Sequence, residues 1–315
     1  MRLVVFRREH MKKVKVLSLF DGISCGMVAL ERAGFEVERY YAYEIEENAI
    51  TISKKNYPEI IHLGDVFKSD FAQFATQGID FLIGGSPCTF WSKAKCSKTA
   101  KQKREIDIEG IGWKLFEKFA EAKKNAQPKY FLYENNYGIA QEIQDAISET
   151  LGVEPIMIDS ALVSAQRRKR LYWTNIPGVK QPEDKGILVK DIICSDEALV
   201  KKFDDRIRKT LIRTDNYIKY DLSGKGHYSQ NDRMYFLDKK APTIQRCRTE
   251  TKFNVYLGGE TYKKTCPIEI ERLQTLPDNY TEGVPKTRRY EALGNGWTVD
   301  VITHILRYAK KCKGA

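Results

Sequence analysis

The sequence lacks any hydrophobic run long enough to cross a membrane. No apolar stretch approaches the roughly 18 residues that a membrane helix needs. The apolar segment Leu3-Val4-Val5-Phe6 near the N-terminus is too short for the core of a signal peptide. These absences predict a soluble, intracellular protein with no membrane partner.

Histidine is scarce, and the cysteines are not paired in sequence. The chain has seven cysteines without a Cys-x-x-Cys pair, and its four histidines lie far apart. This distribution argues against a zinc site and against a disulfide framework. We therefore expect no metal and a reducing cytosol.

The first glycine-rich loop lacks the lysine of a phosphate-cradling Gly-Lys-Ser pattern. The loop from Gly22 to Gly26 lies between a predicted strand and a predicted helix, where free backbone N–H groups favour a carboxylate. Glu44 ends the second strand roughly 20 residues later, the offset at which an acid meets a ribose hydroxyl in dinucleotide folds. Asp65, at the end of the third strand, is a candidate acceptor for an adenine amino group. A nucleoside without phosphates is the expected ligand.

Positive charge is in excess. The chain has 53 Lys and Arg against 42 Asp and Glu, a formal net charge of +11, which suits a polyanionic partner. Its 315 residues suit one large domain with a smaller companion.

Alternating strand and helix patterns predict an α/β protein with a doubly wound, mostly parallel sheet. From about residue 181 to 242, polar stretches and short aromatic runs replace the long apolar strands and indicate a smaller second domain. Helical spacing returns at 298–306, so the last helix is expected to dock on the first domain. We predict strands at 14–20, 40–43, 60–62, 81–83, 130–133, 155–158 and 171–174, and helices at 26–33, 46–56 and 112–125.

Three chemical groups follow the predicted strands in order. Cys88 lies in Gly85-Ser86-Pro87-Cys88-Thr89, directly after an apolar strand, and Glu134 ends a later one. The cluster Gln166-Arg167-Arg168-Lys169-Arg170 supplies paired guanidiniums. A nucleophile, an acid and guanidiniums together indicate a covalent site.

In these blocks the chain resembles the DNA cytosine-C5 methyltransferase family, with further matches at Leu19–Gly26 and Leu293–Val299. Ser24 and Cys25 stand where many bacterial members carry two glycines, a departure closer to the vertebrate de novo methyltransferases. Thr89 replaces the usual glutamine and Asn136 the usual valine. Neither of these last two changes touches an acid or a nucleophile.

The resemblance implies a Rossmann-like, S-adenosylmethionine-dependent enzyme with a target-recognition domain. We expect a catalytic domain at 1–187, a target-recognition domain and hinge at 188–284, and a C-terminal segment at 285–315 that returns to the catalytic domain. Methyl transfer to C5 of cytosine in double-stranded DNA is the expected activity, in the cytoplasm of a bacterial or phage-infected cell. A monomer is expected, and a cognate restriction endonuclease would be a functional companion without physical contact.

The resemblance also implies residue roles. Cys88 would add to C6 of a flipped cytosine, and Glu134 would act at ring N3. Of Arg168 and Arg170, one would anchor Glu134 and the other the cytosine O2. The expected cofactor-binding residues are Phe20, Asp21, Gly22, Ile23, Gly26, Glu44, Ile45, Asp65, Val66, Pro87, Asn295 and Gly296. The expected DNA-binding residues are Ser92, Lys93, Gln166, Lys201, Lys202, Arg208, Lys209 and Arg213.

Two other functions remain open from the sequence. One branch of the same family methylates cytosine in tRNA with the same pocket and nucleophile. A catalytically silent, DNA-binding relative is a third reading, against which the retained Cys88, Glu134 and Arg168 argue.

Overall fold

The computed structural model describes residues 12–87, 89–92, 104–221, 232–246 and 252–311. Its first half alternates strands and helices, as the sequence pattern predicts. The elements are β1 (Lys12–Leu19), α1 (Cys25–Ala33), β2 (Phe35–Tyr43), α2 (Glu47–Asn56), β3 (Ile61–His62), β4 (Phe81–Gly84), α3 (Ile111–Ala126), β5 (Tyr130–Asn136), α4 (Gln141–Leu151), β6 (Ile156–Asp159) and β7 (Lys169–Thr174).

These strands form one seven-stranded sheet in the order β3-β2-β1-β4-β5-β7-β6. Neighbours from β3 to β5 run parallel, whereas β7 is antiparallel to both β5 and β6. All four residues of β4 are buried, as expected for a strand covered on both faces. The predicted doubly wound, mostly parallel sheet is confirmed.

In the first half of the chain, two elements differ most from the sequence prediction. Strand β2 begins at Phe35, five residues before the predicted start, because its first half pairs with β1 beside an irregularity between Val14 and Lys15. Helix α4 was not predicted, since most of its residues are polar. Its buried stripe of Ile143, Ile147 and Leu151, spaced four residues apart, holds it against the sheet.

The second half of the chain contains a separate sheet of six short strands in the order β8-β13-β12-β11-β10-β9. Its own apolar cluster contains Phe203, Ile207, Ile218, Tyr220 and Met234. The elements are β8 (Val200–Lys202), α5 (Asp205–Thr210), β9 (Ile212–Arg213), β10 (Tyr217–Lys219), β11 (Arg233–Phe236), β12 (Asn254–Gly258), β13 (Thr261–Lys264), α6 (Pro267–Leu273), α7 (Lys286–Asn295) and α8 (Val299–Lys311).

The last helix, α8, packs against α1 at the first sheet. Its buried face includes Val301, Ile302, Ile305 and Leu306. The domain boundaries themselves stay predictions. Within the described part of the chain, no helix has the length and apolar character needed to span a bilayer.

Candidate active site

A cleft of about 640 Å³ opens at the carboxyl ends of β1, β2, β4 and β5. The strand order reverses between β1 and β4, and such a switch point is where open α/β sheets bind ligands. Residues from the first sheet form one wall. The segment 243–246 and the turn after α7 form the other.

The loop from β1 to α1 is tightly folded. Phe20, Gly22 and Ser24 all have positive φ angles, of 59°, 61° and 59°. Asp21 holds this turn by accepting hydrogen bonds from the hydroxyls of Ser18 at 2.6 Å and Ser24 at 2.5 Å. The loop thereby aims the N-terminus of α1 at the cleft.

Glu44 fixes the same loop from the neighbouring strand. Its carboxylate accepts from the backbone N–H groups of Gly22 at 2.8 Å, Ile45 at 2.8 Å and Glu46 at 2.9 Å. Burial raises the pKa of Glu44 above its ordinary value, although the three N–H donors oppose the shift. The carboxyl also lines the cleft, and beside it Ile45 is 70% exposed.

This wall fits the chemistry of S-adenosylmethionine. The open helix N-terminus suits a carboxylate, the Glu44 carboxylate suits ribose hydroxyls, and the exposed Ile45 side chain offers an apolar surface for a flat base. Burial raises the pKa of the Cys25 thiol at the start of α1 to about 12, so this thiol adds no negative charge at neutral pH.

A second group of residues surrounds Glu134. Arg170 Nε lies 2.9 Å from Glu134 Oε1, and the indole N–H of Trp297 donates to Oε2 at 3.0 Å. A side chain on Gly85 would place Cβ 2.8 Å from the same Oε2. Each carboxylate oxygen is thus held by a separate donor, in a space that only glycine leaves open.

The loop that leads to Cys88 is anchored on β5. The Ser86 hydroxyl lies 2.6 Å from the hydroxyl of Tyr133, and Asn135 donates to the Ser86 carbonyl at 3.4 Å. Burial raises the pKa of Tyr133, so it stays a neutral phenol. Cys88 itself lies outside the described residues, but its neighbours Pro87 and Thr89 both line the cleft.

Arg168 is buried and joins the two walls of the cleft. Its guanidinium donates to the carbonyls of Ile244 at 3.0 Å, Gly294 at 3.2 Å and Gly296 at 3.0 Å. Of the two expected arginines, therefore, Arg170 contacts Glu134, and Arg168 holds the segments opposite it.

Gln166, which is expected at the DNA from the sequence, lies inside the protein. Its side chain has no exposed surface and is hydrogen bonded to Gln274, to the Leu273 carbonyl and to the Ile244 N–H. A buried amide with these partners cannot reach DNA in this conformation, so Gln166 supports the second wall instead.

Most of the expected cofactor residues line the cleft, but three do not. Gly26 lies behind it, where an added Cβ would come within 2.4 Å of Ile83, so this glycine permits close packing of α1 on the sheet. The Asp65 carboxylate caps the short helix Val66–Lys68 by accepting from the Phe67 N–H at 2.9 Å. Val66 is buried in the core. The expected residues on the cleft wall are Phe20, Asp21, Gly22, Ile23, Glu44, Ile45, Pro87, Asn295 and Gly296.

The expected DNA-binding residues do not form one patch. Lys201 and Lys202 lie on β8 and Arg213 lies on β9, which are opposite edges of the six-stranded sheet. In a flat sheet with strands about 4.8 Å apart, five spacings would separate these edges by about 24 Å. Lys209 lies on α5, which connects β8 to β9 in sequence.

Arg208 is paired with acids. Its guanidinium meets Glu260 at 2.8 Å and Asp205 at 2.9 Å, so its charge is largely compensated. Ser92 lines the cleft. Lys93 lies outside the described residues.

The sequence did not point to Trp297, nor to a charged group of two arginines and one glutamate at the rim of the cleft. Arg246 and Arg288 both pair with Glu291, at 3.1 and 2.9 Å. Arg246 and Glu291 lie 45 positions apart, and no local pattern links them. For Trp297 a signal existed, because it lies inside Leu293–Val299, one of the segments that resemble the family.

Comparison with known proteins identifies the family. A family model described as C-5 cytosine-specific DNA methylase matches residues 14–311. The chain belongs to this family. The expected family and enzyme class, a DNA (cytosine-5)-methyltransferase, are thereby confirmed.

Relatives match over nearly the whole chain. The type II methyltransferase M.FnuDI of Fusobacterium nucleatum is 31% identical, with 95% of this chain and 94% of the relative covered. The type II methyltransferase M.NgoPII of Neisseria gonorrhoeae is 26% identical, with 95% and 96% covered. The solved Entamoeba histolytica methyltransferase EhMeth superposes with a TM-score of 0.72 over 97% of this chain and 100% of that one. At 15% identity this likeness shows the fold alone.

Proposed function

We propose that this methyltransferase transfers a methyl group from S-adenosylmethionine to C5 of cytosine in double-stranded DNA, through a covalent bond between Cys88 and C6 of a flipped base. One observation carries the proposal. The Glu134 carboxylate is held by Arg170 and Trp297 beside the Gly85-Ser86-Pro87 loop, whose next residue is Cys88.

Bound S-adenosylmethionine would supply an electrophilic methyl group. Glu44 would accept hydrogen bonds from the ribose hydroxyls, and the N-terminus of α1 would receive the carboxylate. Ile45 would pack on the adenine. These roles use groups that line the same cleft as Glu134.

Cytosine C5 is a poor nucleophile, so the ring must first gain electrons. The Cys88 thiolate forms a bond to C6, and Glu134 donates a proton or a hydrogen bond to ring N3, which accepts the displaced charge. After methyl transfer a base removes the C5 proton, the electrons of that bond form the C5–C6 double bond and expel the Cys88 thiolate, and the N3 proton returns to Glu134. Arg170 and Trp297 keep the Glu134 carboxyl in place through these steps.

Base flipping follows from the depth of the site. Glu134 and Arg170 are each 9% exposed, and a base stacked inside a duplex cannot reach side chains that lie this deep. Extruding the nucleotide costs a few kcal/mol, which contacts from the two walls of the cleft must offset. Arg246 and Arg288 share the single acid Glu291 at the rim, so this group keeps a net positive charge for the DNA backbone.

The proposal is tested by methyl transfer from labelled S-adenosylmethionine to duplex DNA and, in parallel, to tRNA. We expect label in DNA, and bisulfite sequencing of plasmid from expressing cells should locate 5-methylcytosine at a defined sequence. Cys88→Ala should abolish transfer yet retain cofactor binding. Label in tRNA alone would replace DNA as the substrate, and DNA binding without transfer to either polymer would support a silent relative.

A further inference from the structure

Two cysteines meet at the base of the six-stranded sheet, away from the cleft. Cys194 precedes β8, the first strand of this sheet, and Cys266 follows β13, the strand adjacent to β8. Their sulfurs lie 3.3 Å apart although the residues are 72 positions apart in sequence. The pair therefore joins the segment through which the chain enters this sheet to the segment through which it leaves.

A buried carboxylate fixes both cysteines. Glu269 has no exposed surface and accepts from the backbone N–H of Cys194 at 3.1 Å and of Cys266 at 2.8 Å. It also forms a short contact with the ammonium of Lys263, which is itself buried. Both backbones are thus hydrogen bonded to the same buried side chain. These buried contacts hold the two cysteines close to each other.

Cys194, Cys266 and Glu269 form a geometry that can hold a metal ion, but Lys263 argues against that role. Its ammonium pairs with Glu269 and lies 3.8 Å from the Cys194 sulfur. A cation among these ligands would meet a like charge that is already buried there. The ammonium of Lys263 supplies the positive charge that a metal ion would bring to this site. We therefore interpret Cys194 and Cys266 as a pair of thiols and not as metal ligands.

We propose that Cys194 and Cys266 form a reversible disulfide when the protein meets a peroxide, and that this bond clamps the six-stranded sheet at its base. The inference goes beyond the proposed function and does not rest on it.

The reaction balances with the peroxide as oxidant. The Cys266 sulfur attacks one peroxide oxygen, the O–O bond breaks, and Cys266 becomes a sulfenic acid as water leaves. The Cys194 sulfur then attacks the Cys266 sulfur, and its proton departs with the hydroxyl as a second water. Two thiols are oxidised and one peroxide is reduced.

The order of the two steps follows from the contacts of Cys194, whose thiol donates to Glu269 Oε1 at 3.4 Å and so keeps its proton. Burial and the neighbouring Cys266 and Glu269 raise the pKa of Cys194 to about 12, so it remains a thiol at neutral pH. The thiolate is the form that attacks a peroxide. We therefore assign the first step to Cys266 and the second to Cys194.

The geometry requires only a small movement. A disulfide has an S–S length of about 2.05 Å, so the sulfurs must approach each other by roughly 1.2 Å. The new bond would close a long loop that contains the whole six-stranded sheet. Such a cross-link restricts the unfolded chain, and here it also restricts movement of the sheet about its two connections.

Peptide mapping after peroxide treatment tests the proposal directly. Purified protein is exposed to hydrogen peroxide, remaining thiols are alkylated, and the digest is analysed without reductant. We expect one linked pair of peptides containing Cys194 and Cys266, lost on treatment with dithiothreitol. Cys312→Ser, which keeps both residues, should give the same link.

Single variants separate the two roles. Cys194→Ser should stop at a sulfenic acid on Cys266 that a dimedone probe captures, whereas Cys266→Ser should give neither the link nor the adduct at this site. If both thiols stay reduced, or if Cys266 is oxidised without a link in the wild-type chain, the proposal is wrong.

A second measurement tests the clamp. Oxidised wild-type protein should melt several degrees above the reduced form and resist proteolysis within 195–265, with no such difference in Cys194→Ser. The disulfide-linked protein could instead have the same melting temperature and cleavage pattern as the reduced form. That result would contradict the proposal that the bond clamps the sheet.

Discussion

The indole N–H of Trp297 donates to Glu134 Oε2 at 3.0 Å, across 163 positions of sequence. Trp297 lies between α7 and α8, and Glu134 lies on β5 in the middle of the large sheet. The orientation of the candidate acid therefore depends on the C-terminal segment, although the carboxyl belongs to the first half of the chain.

Replacing Trp297 by Phe should lower kcat and leave cofactor affinity unchanged. The change keeps an aromatic ring but removes the N–H that orients Glu134. A hydrogen bond to a charged group contributes about 1.5 to 3 kcal/mol, which corresponds to roughly 10- to 150-fold in rate. Steady-state methylation and calorimetry would measure both quantities.

The control for that variant is Trp113→Phe. Trp113 lies on α3 with its ring 4.8 Å from Phe116, and it does not line the cleft. Equal kcat values for Trp297→Phe and wild type would show that this hydrogen bond has no role in orienting Glu134.

Cofactor binding should weaken as pH falls, beginning above the ordinary Glu pKa of 4.5, because burial raises the pKa of Glu44. The ionised carboxylate accepts from the ribose hydroxyls, and protonation removes that acceptor. Affinity is therefore full above the raised pKa and is lost as the pH drops through it. Calorimetry between about pH 5 and pH 8 would measure the change.

Glu44→Gln should have weak affinity that no longer varies with pH over this range. Glu47→Gln, at an exposed position on α2, should behave like the wild-type protein. The same pH dependence in wild type and Glu44→Gln would assign the titration to another group.

The two edges of the six-stranded sheet should contribute unequally to DNA binding. The β9 edge lies near strand β7 of the seven-stranded sheet. Arg167, which precedes β7, donates to Asn216 at 3.1 Å, and Asn216 lies in the turn between β9 and β10. Arg213→Gln should therefore weaken binding to every sequence and reduce the salt slope by about one unit. Lys202→Gln, at the β8 edge, should change the slope less. Binding isotherms at several salt concentrations would decide, and equal effects would contradict this orientation.

The sequence predicted the sheet well because its strands are apolar runs separated by turn residues. It placed Glu134, Arg168 and Arg170 at one site but left open which arginine contacts the acid, and in the structure Arg170 lies 2.9 Å from Glu134. Gln166 lies in the same segment, yet its side chain is buried. A sequence match to the family does not reveal which way a side chain points.

Contacts between distant segments could not be predicted. Neither the Cys194 and Cys266 pair nor the Arg246 and Glu291 pair leaves a local pattern, since the tertiary fold alone brings them together. Helix α4 was missed for a different reason. Its narrow apolar stripe is sufficient for packing but is diluted by polar residues along the sequence.

The most direct test of the central claim is covalent trapping on duplex DNA that carries 5-fluorocytosine at the methylated position. Fluorine at C5 cannot leave as a proton, so the bond between Cys88 and C6 should persist after methyl transfer. We expect a DNA–protein adduct that survives denaturation, requires S-adenosylmethionine, maps to Cys88 and is absent from Cys88→Ala. Active enzyme that yields no such adduct, or an adduct at another residue, would contradict covalent catalysis by Cys88.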